Sequence, residues 1–216
     1  MKKIMVIVAH ADDEVLGCGA TIRKHCQAGD LVHIVICAGK GSSKGMRTEA
    51  QLAKSELAGR ILGVEIHTIL GLEDQKFDVY PLLEVVQRLE PVIEAYAPEI
   101  IYTHHAGDLN KDHRVVHQAV LTACRPLPGS SVKEIYGMEI ASSTEWGEPF
   151  IPTHFVSISP SQYAGKNQAL SCYEAEMRPE PHARSIPRVM GQLGWRGGSV
   201  GCDWAEAFTT IRTIVS

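Results

Sequence analysis

Two short segments of this chain concentrate ionisable side chains whose spacing suits metal chemistry. The first is HADDE at residues 10–14, and the second is THHAGDLNKDH at residues 103–113. In the first segment, His10 and Asp13 stand three residues apart across a predicted turn, so both can point at one ion while Asp12 lies beside it. Two histidines and one carboxylate would leave positions on a metal ion open for water and substrate. A simple cap on the following helix is the alternative for the acidic residues.

Both segments follow predicted buried strands. Residues 4–8 and 100–103 are short apolar runs, typical of parallel strands that are buried on both faces. Such runs alternate with helical segments along the chain, which predicts an α/β fold: a Rossmann-like, doubly wound, mostly parallel sheet with helices on both faces. Ligands of such sheets bind beyond the carboxyl ends of the strands, where the strand order reverses. The first and fourth strands flank that point, so we expect the two segments to meet there.

The predicted elements fill most of the chain. Strands are expected at residues 4–8, 31–37, 65–70, 100–103, 135–140 and 155–158, and helices at 15–27, 46–62, 81–96 and 112–124. The tail at 178–203 is rich in Pro, Gly and Arg, which favours irregular structure that wraps the domain. Nothing indicates a second domain, so residues 1–216 are expected to form one.

Composition narrows the class of protein. The 216 residues are 44% hydrophobic and 21% charged, and the formal net charge is −4, which argues against a nucleic-acid partner. There is no apolar run of about 18 residues, so no membrane span is expected. The six cysteines form no C-x-x-C pair, which favours reduced thiols in a cytoplasmic protein. The sequence is compatible with a homo-oligomer.

The two segments also carry a family resemblance. Residues 8–14, with Gly17 and Gly19 after them, resemble the AHPDDE…GG signature of the PIG-L (LmbE-like) de-N-acetylase family. Residues 108–114 resemble its second signature, which ends in Asp-His. Weaker matches cover nearly the whole chain, and they include Arg47, Glu56, residues 62–64, Lys166, Tyr173, residues 181–185, Arg196-Gly197 and residues 205–208.

The resemblance implies a specific chemistry. Members of the family hydrolyse N-acyl groups, usually acetyl from N-acetylglucosamine-like units, with zinc or another divalent metal such as Fe²⁺. By position, His10, Asp13 and His113 are implied to be the metal ligands and Asp12 the general base. A bound metal lowers the pKa of water to about 7, and an adjacent carboxylate can accept its proton. The implied protein is a zinc-dependent de-N-acetylase that acts on a small amino sugar or sugar conjugate.

Two positions depart from the family pattern. Ala11 replaces the usual proline, which loosens the turn without removing chemistry. Asn110 stands where many members have a histidine that helps to stabilise the oxyanion. Asn110 can donate a neutral hydrogen bond to substrate, or the task can pass to another histidine. The candidates are His104, His105 and His182.

Other residues have a functional and a structural interpretation. Asp112 is expected to hold a histidine ligand in its tautomer, with helix capping as the alternative. Arg47 could bind a substrate hydroxyl, phosphate or carboxylate, with a solvated arginine at the helix start as the alternative. The Gly/Ser-rich stretch at residues 39–45 does not fit a Walker A motif, and a lid beside the site is the preferred interpretation.

The tail contributes further candidates. His182 and Arg184 are expected to close over the pocket from the tail, with His182 as a substrate-binding residue. Trp195 and Trp204 are expected to pack in the core rather than to form a sugar-stacking wall.

Two other functions stay open. One is an amidase that acts on a non-sugar or thiol-conjugate amide. The other is a non-catalytic module that binds a sugar nucleotide with the same fold, which would leave the charges at His10, Asp12 and Asp13 unexplained. Metal analysis of the purified protein separates a hydrolase from a binding module.

Overall fold

One mixed sheet forms the centre of the protein in a computed structural model, which describes residues 1–40 and 47–215 but not the side chains of residues 40 and 47–49. The seven strands are β1 (Lys3–Val8), β2 (Leu31–Lys40), β3 (Ile66–Glu73), β4 (Ile100–His104), β5 (Glu134–Met138), β6 (His154–Ser157) and β7 (Ala205–Thr213). Their order is β3-β2-β1-β4-β5-β7-β6. The strand β1 pairs parallel with both β2 and β4, while β7 pairs antiparallel with β5 and β6.

The sheet is covered by helices on both faces. The helices are α1 (Asp13–Gln27), α2 (Arg47–Leu62), α3 (Leu82–Tyr96), α4 (Lys111–Ala123), α5 (Pro160–Ser171) and α6 (Ile186–Gly198). Side chains from α1, α2, α5 and α6 pack in one apolar cluster, and side chains from α3 and α4 pack in another. The predicted doubly wound α/β fold is therefore confirmed.

The first strand shows why the sequence folds this way. Every residue of the run Ile4–Val8 is buried. Ile4 and Val6 point into the cluster on one face, whereas Met5 and Ile7 point into the cluster on the other. Since side chains alternate across a strand, a central strand with helices on both faces must be apolar at every position.

The tail corrects the sequence analysis. Irregular structure over residues 178–203 was expected, and this is wrong for α6. The Ser185 side chain caps that helix by accepting from the Arg188 N–H, and a proline stands in its first turn. Val189, Met190 and Leu193 lie buried along one face. The four glycines of this helix hide its helical spacing, and α5 and β7 also were not predicted.

A kink in α1 is held by a buried ion pair. Cys18 has non-helical backbone angles, φ −145° and ψ 23°. Beyond it, the Glu206 carboxylate of β7 accepts from the backbone N–H groups of Ala20 at 3.1 Å and Thr21 at 2.6 Å. Lys166 of α5 donates to Glu206 at 2.6 Å and to the Leu16 carbonyl at 2.8 Å. The pair thus fixes both halves of the helix that follows the first acidic turn.

Two further observations bear on the expectations from composition. All six cysteines are free, and Cys18, Cys37 and Cys124 are buried. Within residues 1–40 and 47–215, the helices are too short or too polar to cross a membrane.

Candidate metal centre

The two segments meet beyond the carboxyl ends of β1 and β4. His10 Nδ1 lies 3.3 Å from Asp13 Oδ2, and His113 Nε2 lies 3.3 Å from the same oxygen. The two ring nitrogens are themselves 3.3 Å apart. Because β1 and β4 are neighbouring parallel strands, the turn into α1 and the start of α4 are adjacent, as the sheet topology requires.

This triad fits a divalent metal ion. His10, Asp13 and His113 each offer one ligand atom, and these atoms all lie within 4.8 Å of one another. Asp13 is 1% exposed, and its Oδ1 has no hydrogen-bond partner within the described part of the chain. An unpaired buried carboxylate oxygen is costly, and a cation would satisfy it. Two nitrogens and one oxygen are donors that suit Zn²⁺ and Fe²⁺.

The pKa directions show that the cluster favours positive charge. Burial opposes a charged His10, but hydrogen bonds to Asp112 and Asp13 outweigh it and raise its pKa to about 10. Burial likewise opposes a charged Asp13, yet the neighbouring His113 helps to hold the pKa of that carboxyl well below its usual range. Both directions favour positive charge at the triad, which a bound divalent ion would supply.

A second carboxylate fixes the ring of His10. Its Nε2 lies 3.0 Å from Asp112 Oδ2 and 3.3 Å from Asp74 Oδ1. Asp112 also accepts from the backbone N–H groups of Gln75 at 2.8 Å and Phe77 at 3.0 Å. The side chain of Asn110, not of Asp112, caps α4. No local sequence pattern pointed to Asp74, which follows β3.

A third carboxylate fixes the ring of His113. Asp108 Oδ1 lies 3.2 Å from His113 Nδ1. The hydroxyls of Ser143 and Thr144 donate to the two oxygens of Asp108. Although Asp108 is largely buried, the hydrogen bond to His113 and the charge of that ring help to lower its pKa to about 2. Sequence reasoning missed this role, because Ser143 and Thr144 lie more than 30 residues along the chain.

Asp12 lies at the centre of a constrained turn. Its backbone φ of 123° is in a region that L-residues rarely adopt, which marks a strained position. Its N–H donates to Glu14 at 3.0 Å. Its Oδ2 accepts from Arg184 Nη1 at 3.2 Å. Burial and the charge of Asp13 raise the pKa of Asp12 to about 7, while Arg184 opposes the shift.

A cavity of about 160 Å³ opens over the triad. Its lining includes Asp12, Asp74, Gln75, Asn110 and Arg184 together with the two histidines. Of the two tail residues that were expected to close over the pocket, Arg184 lines the cavity. Its Nε also donates to the Ser142 hydroxyl at 3.0 Å.

The other candidate histidines do not line the cavity. His104 is fully buried behind the site, where its Nε2 accepts from the Ala9 N–H at 2.8 Å and its ring stacks on His113 at 3.9 Å. His105 packs edge-on against Phe150. His182, predicted to bind substrate, is exposed and lies against Trp146 rather than in the cavity.

The predictions for Arg47 and for the lid fall outside the described residues, and the prediction for Trp195 is wrong. The side chain of Arg47 and residues 41–46 of the expected lid belong to the part that is not described. Trp195 is 75% exposed, so core packing was the wrong interpretation. Trp204 packs against Tyr163 with ring centroids 4.7 Å apart.

Comparisons with known proteins identify the family of the chain. The sequence profile of the PIG-L family, described as GlcNAc-PI de-N-acetylase, matches residues 5–124. The uncharacterized deacetylase YaiS of Escherichia coli K12 is 31% identical over 180 residues, which are 81% of this chain and 91% of that protein.

Solved structures show the same fold at low identity. The N,N'-diacetylchitobiose deacetylase of Pyrococcus horikoshii superposes with a TM-score of 0.78 at 20% identity, covering 98% of this chain and 84% of that one. The 4-carboxy-2-hydroxymuconate hydratase GalB of Pseudomonas putida KT2440 superposes with a TM-score of 0.79 at 21% identity, covering 100% and 98%. By its profile match and its relative, the chain belongs to the PIG-L de-N-acetylase family.

Proposed function

We propose that this protein is a divalent-metal-dependent hydrolase that removes the N-acetyl group from a small amino sugar or sugar conjugate. Family membership supports the reaction class. The observation that carries the proposal is the triad of His10, Asp13 and His113, whose ligand atoms lie within 4.8 Å of one another, together with the buried Asp13 Oδ1, which has no partner among the described residues. We assign these three as the metal ligands, for Zn²⁺ or Fe²⁺.

Each ligand ring is held by a carboxylate on its far side. Asp112 contacts Nε2 of His10, and Asp108 contacts Nδ1 of His113. These contacts direct the opposite nitrogens, His10 Nδ1 and His113 Nε2, towards Asp13. Carboxylate partners of this kind orient metal-binding histidines and raise their basicity. When bound, a divalent ion supplies Lewis-acid polarisation of an amide carbonyl and of water.

We assign Asp12 as the general base. Its carboxylate accepts a proton from the attacking water as the new C–O bond forms, and delivers a proton to the amide nitrogen as the C–N bond breaks. Acetate and a free amine are the products. Burial raises the pKa of Asp12 above its usual range, which suits this exchange, because a base works best when its pKa lies near the operating pH.

Arg184 and Asn110 are the proposed substrate contacts within the cavity. Arg184 brings a permanent positive charge beside Asp12, and such a charge suits an oxyanion that develops in the transition state. Asn110 lines the same cavity at the start of α4. Arg47 stays a prediction, whereas the position of His182 outside the cavity does not support its predicted role.

Metal content and product analysis test the proposal. The purified protein should hold about one divalent ion per chain, and it should release acetate from N-acetylated amino sugars. His113→Ala should lose both the ion and the activity, whereas Asp203→Asn, an exposed carboxylate in the loop before β7, should keep both. Release from non-sugar amides alone would favour the amidase alternative. A metal-free protein that binds sugar nucleotides without turnover would favour the binding module.

A further inference from the structure

A groove extends the catalytic cavity in one direction. It has a volume of about 470 Å³ and shares Gln75, Asn110 and Arg184 with the cavity. The cavity alone, at about 160 Å³, is smaller than the roughly 300–1,000 Å³ of typical small-molecule sites, whereas the groove falls within that range. A ligand that reaches the metal triad and is larger than the cavity would extend past the three shared residues into the groove.

Trp146 gives the groove an aromatic wall. Its side chain lines the groove and the residue is 58% exposed. It contacts the exposed ring of His182 edge-on, with centroids 6.4 Å apart. A large aromatic residue that stays exposed beside polar groups is the composition that binds a ring with one apolar face and hydroxyl groups around it.

The turn that carries Trp146 is tied to the metal triad. Trp146 ends the short 3-10 helix Thr144–Trp146. Thr144 and the preceding Ser143 donate to Asp108, which holds the ring of His113. Glu145 closes the turn, because its carboxylate accepts from the N–H groups of Ser142 at 2.7 Å and Ser143 at 3.1 Å. The turn that carries Trp146 is thus held at a set position relative to the reacting centre.

We propose that the groove binds a second pyranose ring, linked to the acetylated sugar, and that Trp146 stacks on that ring. The proposal rests on the proposed function and narrows the substrate class to N-acetylated sugars that carry a further ring. Arg184 links the two compartments, since it contacts Asp12 on the cavity side and Ser142 on the groove side.

One experiment tests both the preferred substrate length and the role of Trp146. Trp146→Ala should lower kcat/KM for N,N'-diacetylchitobiose about tenfold, the size expected for one aromatic contact, and should change kcat/KM for N-acetylglucosamine less than about twofold. Trp146→Phe, which keeps a ring, should recover most of the loss. Trp195→Ala removes another exposed tryptophan that does not line the groove, and should leave both values unchanged. Equal losses on both sugars, or no loss on either, would overturn the proposal.

Calorimetric binding separates this inference from the proposed function. In the Asp12→Asn background, N,N'-diacetylchitobiose should bind more tightly than N-acetylglucosamine, and Trp146→Ala should abolish the difference. If neither sugar is deacetylated but this difference is found, the hydrolase proposal fails while the groove is supported. If both sugars are deacetylated but bind equally, the groove fails while the hydrolase stands. Circular dichroism of each variant confirms that the fold is retained.

Discussion

The two aspartates of the first segment are adjacent in sequence but have opposite environments. Asp13 contacts His10, His104 and His113, and its pKa is held low. Asp12 contacts Arg184, and its pKa is raised to about 7. Neighbouring carboxyl groups whose pKa values are pushed apart commonly divide the work of binding charge and of moving protons. We therefore propose that Asp13 binds the cation and that Asp12 moves the proton.

Asp12→Asn tests that division. The amide keeps the shape of the carboxylate but loses its basicity, so kcat should fall by about 10²–10⁴ with little change in KM. Metal content, measured by elemental analysis, should stay at the wild-type level. If Asp12→Asn loses the metal while Asp13→Asn keeps it, the two roles are exchanged. Wild-type hydrolysis by both variants would show that neither aspartate has the role proposed for it.

Arg184→Gln tests the electrostatic link to the base. Activity requires ionised Asp12, so kcat/KM should decline as the pH falls through the pKa of that group. Arg184 lowers this pKa, and its removal should move the acid limb of the pH profile to higher pH. The profile of kcat/KM against pH gives the measurement, and Arg188→Gln on the exposed part of α6 serves as the control. An acid limb that does not move would show that Arg184 does not act through Asp12.

At the scale of elements, local patterns predicted what lies close in sequence. The buried run before His10 and the run before His104 identified β1 and β4, and parallel neighbours must end at the same edge of the sheet. The contacts that complete the site come from distant elements. Arg184 reaches Asp12 across 172 residues, and no periodic pattern encodes that contact. The glycines of α6 hide its helical spacing, and β7 was not predicted, because local sequence signals are weak in the tail.

The buried pair of Lys166 and Glu206 is one such distant contact. Glu206→Gln leaves Lys166 buried without its counter-ion, and breaking a buried pair in this way costs about 3–5 kcal/mol. The free energy of unfolding in urea measures the loss. Lys166→Met combined with Glu206→Gln should recover much of it, because no unpaired charge remains. Glu56→Gln, in an exposed pair with Arg60, should change stability by less than about 1 kcal/mol. If Glu206→Gln and Glu56→Gln lowered the free energy of unfolding equally, the buried pair would not be what holds the kink in α1.

At the scale of the whole molecule, the fold constrains the place of the site more than its reaction. The same architecture occurs in a chitobiose deacetylase and in a hydratase, both at about one-fifth identity. The shared feature is a sheet whose strand order reverses beside β1, which leaves a crevice at the strand ends. The reaction must be argued from the side chains in the crevice. In this chain those are the triad, Asp12 and Arg184.

Metal binding should stabilise the whole molecule in a pH-dependent way. An ion that binds only the folded protein adds about 2.7 kcal/mol at 100 times its Kd, which for a chain of this size raises Tm by about 5–10 °C. The metal-free fold holds a proton on His10, whose pKa is raised from 6.5 to about 10. That proton stabilises the metal-free fold fully below pH 6.5, and the benefit is lost as the pH rises through about 10.

The ion needs the neutral ring, so binding releases the proton, and Zn²⁺ should raise Tm more at pH 8 than at pH 6. Differential scanning fluorimetry with stepwise Zn²⁺ at the two pH values measures the shift. His113→Ala should show little shift at either pH, and Mg²⁺, which prefers six oxygen ligands, should act weakly on the wild type. A shift that is larger at pH 6, or that survives in His113→Ala, would place the ion somewhere other than the triad.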